Sequence, residues 1–340
     1  MNEHELRQLE IPLPFAPQRH PMSDAAQHRA GVWARRHGLL ETDTDAARFD
    51  ALGYGRFAAH WCPTANFSDL VLMAEWITLF FFFDDLQDQA IATGNGGEYD
   101  DLRHDATRII RGRAAAPTDH PVLTALSELC VRTSARNSAA WARRFALDLE
   151  IWLLGHAREN AFRRAARTPG PDEYPRLRRD ACTVLPTVDL AEIIEHTEIP
   201  DALYFGPSYQ QIIATTADIM CWINDLHSLA RELDAEDPIN MVTVLRHHRA
   251  LTLAEAVDEV RHAIDARIRD HQSAITTLTT EMDALHLSAH TRHGILRCVR
   301  DCGSAIAGME SWDRTDTVRF AADHSYPVPS KSQPVSGHST

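Results

Sequence analysis

Residues 66–90 read NFSDLVLMAEWITLFFFFDDLQDQA. From Leu70 to Phe83 the stretch is apolar nearly all round, with Glu75 its one charge. A helix without a polar stripe sits inside a protein, not on its surface, so this segment is expected to be the central helix of a bundle. Ser68 is its N-cap candidate. The run is too short, and too charged at its end, to span a bilayer. Asp84, Asp85 and Asp88 then arrive together. Asp84 and Asp88 stand four apart on one helix face, where like charges repel, and anions near a helix C-terminus oppose the macrodipole. A compensating cation is therefore expected. Four phenylalanines directly before the aspartates place them at the mouth of an apolar pocket. Oxygen ligands on one face suit magnesium, which bridges one or two carboxylates to substrate phosphates. The plainer alternative is a solvated helix end whose acidic residues only stop the apolar run.

The rest of the chain reads the same way. Ala, Leu, Arg and Glu dominate, and no long stretch alternates apolar and polar residues as a half-buried strand would. Pro and Gly punctuate it, at residues 11–21, 93–97, 116–121 and 168–171, and at Pro200, Gly206-Pro207 and Pro238. About ten helical segments lie between these breaks, with no period of about 30 to 50 residues to suggest a solenoid. The fold expected is all-α, a single helical-bundle domain over residues 1–340, with 1–22 as an N-terminal segment and a Pro/Ser-rich disordered tail from about Ser325.

Composition narrows the function. The chain has 340 residues, 44% hydrophobic and 24% charged, enough for a large core. Its formal net charge of −14 argues against nucleic acid as a partner, because phosphates need a basic face. The opening Met-Asn-Glu-His-Glu-Leu lacks the basic start and apolar core of a secretory signal, so the cytoplasm is the default compartment. Six cysteines in a chain this long make no disulfide framework. Cys298 and Cys302, four apart, would need further ligands nearby to hold zinc and read as inert thiols. Adjacent His247 and His248 point about 100° apart on a helix and make a poor chelate.

A second cluster lies in residues 208–232, SYQQIIATTADIMCWINDLHSLARE, a long helix opening after Pro207. Asn224, Ser228 and Glu232 recur every four residues. Eight residues turn about 80° past two full turns and rise roughly 12 Å, so the three oxygen side chains line one side. Alone the stripe is weak; paired with the aspartates it suggests one hard-cation site built from two helices. Asp100, Asp101 and Asp105 resemble the first cluster on paper, but follow a Gly-rich loop and read as the acidic first turn of the next helix.

With both clusters in view, the sequence resembles a bacterial class I terpene synthase. The carrying motifs are Asp84-Asp85-Leu86-Gln87-Asp88 and Asn224-Asp225-Leu226-His227-Ser228-Leu229-Ala230-Arg231-Glu232. The likeness covers most of the chain. Leu13-Pro14-Phe15, Pro21 and Trp33-Ala34 are similar to the family's N-terminal segment. Arg178-Arg179, followed by Pro186 and Asp189-Leu190-Ala191-Glu192, resembles the region of its diphosphate-sensing arginine, which the resemblance places at Arg178 with Arg179 as competitor. Arg319-Phe320, after Trp312, falls where the family has an Arg-Tyr pair contacting diphosphate. There are two departures. Phe320 lacks the tyrosine hydroxyl, and Ala181 at the linker position has no side chain to relay through, although Cys182 can still present its carbonyl as the effector residue does.

The resemblance implies a class I terpenoid-synthase bundle around an apolar cavity, and a reaction that ionises and cyclises an allylic isoprenyl diphosphate. Farnesyl diphosphate is preferred on family grounds, with geranylgeranyl or geranyl diphosphate as alternatives. Three Mg2+ ions are implied, held by Asp84 and Asp88 on one side and by Asn224, Ser228 and Glu232 on the other. Arg178, Arg231 and Arg319 would bind phosphate oxygens. Phe80, Phe81 and Trp312 are expected to face the carbocation, whose charge aromatic faces stabilise; Trp152 and Trp222 are expected in the core, as are Phe82 and Phe83. A homodimer is compatible with the family. A chain-elongating prenyl diphosphate synthase would need a second Asp-Asp-x-x-Asp motif, which the Glu232 stripe replaces. A non-catalytic helical scaffold would show no coupled binding of metal and diphosphate.

Overall fold

The computed structural model describes residues 9–113 and 120–320; the expected tail from Ser325 and the first eight residues lie outside this range. Every regular element among the described residues is a helix. In chain order these are α1 (Ser23–Arg36), α2 (Asp43–Leu52), α3 (Tyr54–Trp61), α4 (Phe67–Ala92), α5 (Gly96–Ile110), α6 (Pro121–Ser134) and α7 (Ala139–Arg164). They continue with α8 (Tyr174–Ala181), α9 (Val184–Ile194), α10 (Asp201–Tyr204), α11 (Pro207–Asp234), α12 (Met241–Arg249), α13 (Leu253–Ala284) and α14 (Ala289–Ser311), which ends in a π turn, Trp312–Asp316.

The all-round apolar α4 is indeed central. It packs against α1, α3, α5, α6 and α9, and Leu70, Met73, Ala74, Trp76, Leu79 and Phe83 are fully enclosed. Its cap differs from expectation. Asn66, not Ser68, precedes the first helical residue, and its Oδ1 accepts the Asp69 N–H at 3.1 Å, while the Ser68 hydroxyl donates to that same oxygen. The helix also runs on to Ala92, so Asp84 to Asp88 lie inside it, not at its end. α5 begins at Gly96, which leaves Glu98 in its first turn. Asp100 falls in the second turn and is taken up by Arg103 (3.2 Å) and Arg164 (2.8 Å), and Asp105 pairs with Arg108 at 3.6 Å.

The second long apolar helix, α11, is enclosed by α8, α9, α13 and α14. α7 packs against α5, α8 and α9. One residue sets how closely α8 can approach it: a Cβ at Gly155 would lie 2.4 Å from Ala181 N and from Asp180 C and O, so only glycine lets the end of α8 rest on α7. At the far end of α7, Arg144 is buried and pairs with Glu192 and, at 3.3 Å, Asp189. Its guanidinium lies 3.7 Å from the Tyr204 ring centroid, and the Tyr204 hydroxyl donates to Asp148 at 3.0 Å. Asp189 and Glu192 thus tie α7 to α9 as core ion pairs. No helix among the described residues is long and apolar enough to cross a membrane.

Candidate active site

The C-terminal halves of α4, α7 and α11, the end of α8 and residues 319–320 surround one cavity of about 1220 Å³. Its deep wall is aromatic and its rim charged. Asp84, Asp85 and Asp88 reach it from α4, and Asn224, Arg231 and Glu232 from α11. Helical periodicity put Asp84 with Asp88, and Asn224 with Glu232, on one face of its helix; the packing of the helices brings both pairs to one cavity. Ser228 differs. It is buried, does not line the cavity, and its hydroxyl donates to the Asn224 carbonyl at 2.8 Å. A serine on a helix can satisfy its hydroxyl on the carbonyl four residues back, and here it does.

The compensating cation expected beside the aspartates is Arg319. It pairs with Asp84 and donates to Asp85 Oδ1 at 2.8 Å and to the Tyr54 hydroxyl at 3.0 Å. Desolvation pushes the Asp84 carboxyl up, but Arg319 and the other nearby cations outweigh it and hold the group below its ordinary value. Asp85, lying deeper, is raised by burial in spite of Arg319. Asp88, with burial and the Asp84 charge against it, is pushed up to about 7. Glu232 reaches about 7 through burial, although Arg231 opposes the shift and Asn240 donates to its Oε2 at 2.8 Å.

Arg178 and Arg179 separate cleanly. Arg178 lines the cavity, donating to Asn224 Oδ1 at 3.0 Å and to Asp225 Oδ1 at 3.2 Å. Arg179 turns the other way, to Asp218 at 2.9 Å, a carboxylate that also holds Arg267 of α13. Asp225 is fully buried and accepts from Tyr174 (2.6 Å) and the Met241 N–H (3.0 Å) as well, so it clamps α8 and α12 to α11 and aims Arg178. Arg231 lies with its guanidinium carbon 5.7 Å from the Phe320 ring centroid, so Phe320 offers that cation a π face.

Phe80 and Phe81 line the cavity, while Phe82 and Phe83 do not, Phe83 packing edge-on to Trp152. The Trp312 expectation needs correction. Trp312 is buried behind the wall: it stacks on Phe57 at 5.0 Å and its indole N–H donates to the Gly53 carbonyl at 3.1 Å. Gly53, at φ +69°, turns that carbonyl between α2 and α3. Trp152 is in the core as expected, but it also lines the cavity, with its indole N–H donating to His156 Nε2 at 2.9 Å. Accepting there leaves the His156 proton on Nδ1, facing the Tyr99 hydroxyl at 2.5 Å. Burial lowers His156 to about 4, which keeps it neutral. Trp222 is buried off the cavity, as expected.

Sequence reading missed Phe57, Trp61, Glu159, Arg163 and Asp237, all cavity residues. Glu159 and Arg163 look like an ordinary i,i+4 surface pair, yet Glu159 is buried and Arg163 also grips Asp237 through both carboxylate oxygens at 3.0–3.1 Å. The aromatic pair sits on a short helix whose facing only the fold sets.

Among the described residues no three His, Cys, Asp or Glu side chains already converge on one point as a metal cage. The donors are split between two helices and held meanwhile by Arg319, Arg178 and Asn240. Yet seven carboxylates line the cavity against four guanidiniums. Asp88 and Glu232 both carry raised proton affinity, so the rim fits hard cations with oxygen ligands.

The model for terpene synthase family 2, C-terminal metal binding, matches residues 75–270, more than half the chain and a span containing both clusters. The chain belongs to this family and is a terpene synthase. It is 29% identical over 319 residues to pristinol synthase of Streptomyces pristinaespiralis, covering 92% of this chain and 86% of that protein. It is 28% identical over 339 residues to a (−)-beta-caryophyllene synthase, (2E,6E)-farnesyl diphosphate cyclizing, of Saccharothrix espanaensis, covering 96% and 93%. The fold matches the linalool/nerolidol synthase of Streptomyces clavuligerus with a TM-score of 0.79 at 23% identity, over 90% of this chain and all of that one.

Proposed function

We propose that this chain is a magnesium-dependent sesquiterpene cyclase that ionises farnesyl diphosphate, cyclises the cation and releases diphosphate. The observation that carries it is the facing of Asp84/Asp88 and Asn224/Glu232 across the mouth of a cavity walled by Phe57, Trp61, Phe80, Phe81 and Trp152. The names of the relatives, with farnesyl diphosphate printed for the caryophyllene synthase, support the C15 substrate.

Mg2+ bound at this rim, three ions by family likeness, would supply positive charge against the leaving diphosphate. Asp84 and Asp88 would hold ions on one side, and Asn224, Ser228 and Glu232 on the other. Ser228 would turn its hydroxyl from the Asn224 carbonyl toward the cavity to join them. The C–O bond breaks with its electron pair going to the diphosphate oxygen. Arg319 and Arg178 are both parked on the carboxylate and amide groups that would bind metal. Released from those groups, the Arg319 and Arg178 guanidiniums would donate to phosphate oxygens, which would couple substrate binding to assembly of the site. Phe320 keeps Arg231 at the rim without a hydroxyl contact of its own. Below the rim, the faces of Phe80, Phe81 and Trp152 stabilise the cation while the apolar wall excludes water.

The test is incubation with geranyl, farnesyl and geranylgeranyl diphosphate, analysed by gas chromatography–mass spectrometry. Cyclic C15 products from farnesyl diphosphate are expected, lost with excess chelator. Asp84→Asn and Glu232→Gln should each lower turnover by a factor of about 10³ with the fold retained, since losing a metal's charge stabilisation costs several kcal/mol. Near-normal turnover in both variants, or full activity in chelator, overturns the assignment.

A further inference from the structure

Cys182 and Cys221 are the two thiols of the cavity wall, one just past the end of α8 and the other on α11. The chain's four other cysteines lie off this wall, Cys62, Cys298 and Cys302 being buried in the core. The two sulfurs sit over the same turn of helix. Cys182 Sγ lies 3.3 Å from the Arg179 carbonyl and Cys221 Sγ 4.0 Å from the Arg178 carbonyl, adjacent oxygens of the last turn of α8. Cys182 is part-exposed to the cavity and Cys221 is tucked behind it, 4% exposed.

We propose that Cys182 and Cys221 form an oxidisable dithiol, a modification site inside the cavity that a small hydroperoxide converts to a disulfide, fixing the end of α8 to α11.

The two thiols are unequal. The neighbouring Cys221 thiol, with Arg178 nearby, lowers the Cys182 thiol in spite of burial, while Cys182 and burial hold Cys221 well above its usual value. Cys182 is thus the attacking sulfur. Its thiolate attacks one peroxide oxygen; an S–O bond forms, the O–O bond breaks and the leaving hydroxide takes a proton to become water. Cys221 sulfur then attacks the sulfenic sulfur, the S–S bond forms and a second water leaves with the Cys221 proton. Two thiols and one hydroperoxide thus become a disulfide and, for hydrogen peroxide, two waters; sulfur is oxidised and peroxide oxygen reduced. The bridge would fasten the segment that carries Arg178 to the helix that carries Asn224. Arg178 must leave Asn224 to reach diphosphate, so the cross-link should hold it in its parked position. This last step rests on the function proposed above; the bond itself does not.

The experiment treats the full-length reduced protein with hydrogen peroxide, quenches free thiols with an alkylating reagent and reads two quantities. Peptide mapping by mass spectrometry should find Cys182 joined to Cys221, reversed by dithiothreitol. Cyclisation of farnesyl diphosphate should fall about tenfold or more and return on reduction, because small displacements of positioning groups cost that much. Cys221→Ala and Cys182→Ser, each compared with its own reduced form, should lose the reversible component. Absence of the Cys182–Cys221 peptide, with both thiols alkylated or Cys182 driven only to sulfinic acid, overturns the proposal. A mapped bridge without loss of activity overturns the blocking step and leaves the dithiol. A mapped bridge in a protein inactive in both states points instead to failure of the proposed function.

Discussion

The two ends of α7 bury charge in different settings. At one end Arg144 is enclosed with Asp189 and Glu192, under the Tyr204 ring, with Asp148 held by the Tyr204 hydroxyl. Fifteen residues on, about 22 Å along the helix, Glu159 and Arg163 enter a rim where carboxylates outnumber guanidiniums. The first cluster also gathers more carboxylates than cations, and burial pushes Glu192 up to about 7 and Asp189 well above its usual range, but none of its residues lines the cavity. The second is unfinished. Asp84 shares Arg319 with Asp85, Asp88 is pushed up to about 7, and Glu159 is raised by burial in spite of Arg163. Both ends therefore hold carboxylates that burial disfavours, and it is the surplus opening onto a cavity, where something outside the chain can complete it, that marks the candidate site.

The comparison breaks most visibly under removal of one charge at each end. Arg144→Met leaves Asp189 and Glu192 buried without a partner and should cost about 3–5 kcal/mol of stability, because breaking a buried pair strands a charge. Asp88→Asn removes a carboxylate that the rim already disfavours, so it should leave stability unchanged or raise it by about 1 kcal/mol while lowering turnover. Denaturant unfolding of both variants checks this; equal destabilisation would erase the distinction between the ends.

A smaller effect separates the neighbouring arginines. Arg178→Ala should lower turnover by about 10²- to 10³-fold, the loss expected for one preorganised donor to developing charge. Arg179→Ala breaks a bond to Asp218, which keeps Arg267, and should cost mainly stability. Steady-state kinetics beside thermal melts decides; the reverse order would mean that α8 is rotated by one residue.

The smallest expected energies lie in the aromatic wall. Phe81→Leu and Trp152→Phe should redistribute hydrocarbon products while diphosphate release persists, since a desolvated cation–π contact is worth about 2 kcal/mol, enough to shift branching more than tenfold. Phe83→Leu, behind the wall, should cost stability with little change of products. Product profiles together with melting temperatures test it; a product shift from Phe83 alone would misplace the wall.

What the sequence determined by itself was whatever lies within one helix. The all-α class, the central place of α4, the common face of Asp84 and Asp88 and that of Asn224 and Glu232 all follow from a period of 3.6 residues and the distribution of apolar side chains, whereas Ser228, the middle of the expected stripe, is turned back onto its own helix. Tertiary structure decided what depends on two helices at once. It chose Arg178 over Arg179, because Gly155 lets α8 settle on α7 and Asp225 draws one guanidinium inward. It moved Trp312 behind Phe57 and brought Trp152 to the wall, because an apolar residue is equally content against a core or a cavity and its local pattern does not distinguish them. It also set Asp84 against Arg319, 235 residues away in the chain. A helix records its own faces in its sequence; which neighbour each face meets is fixed only when all the helices pack.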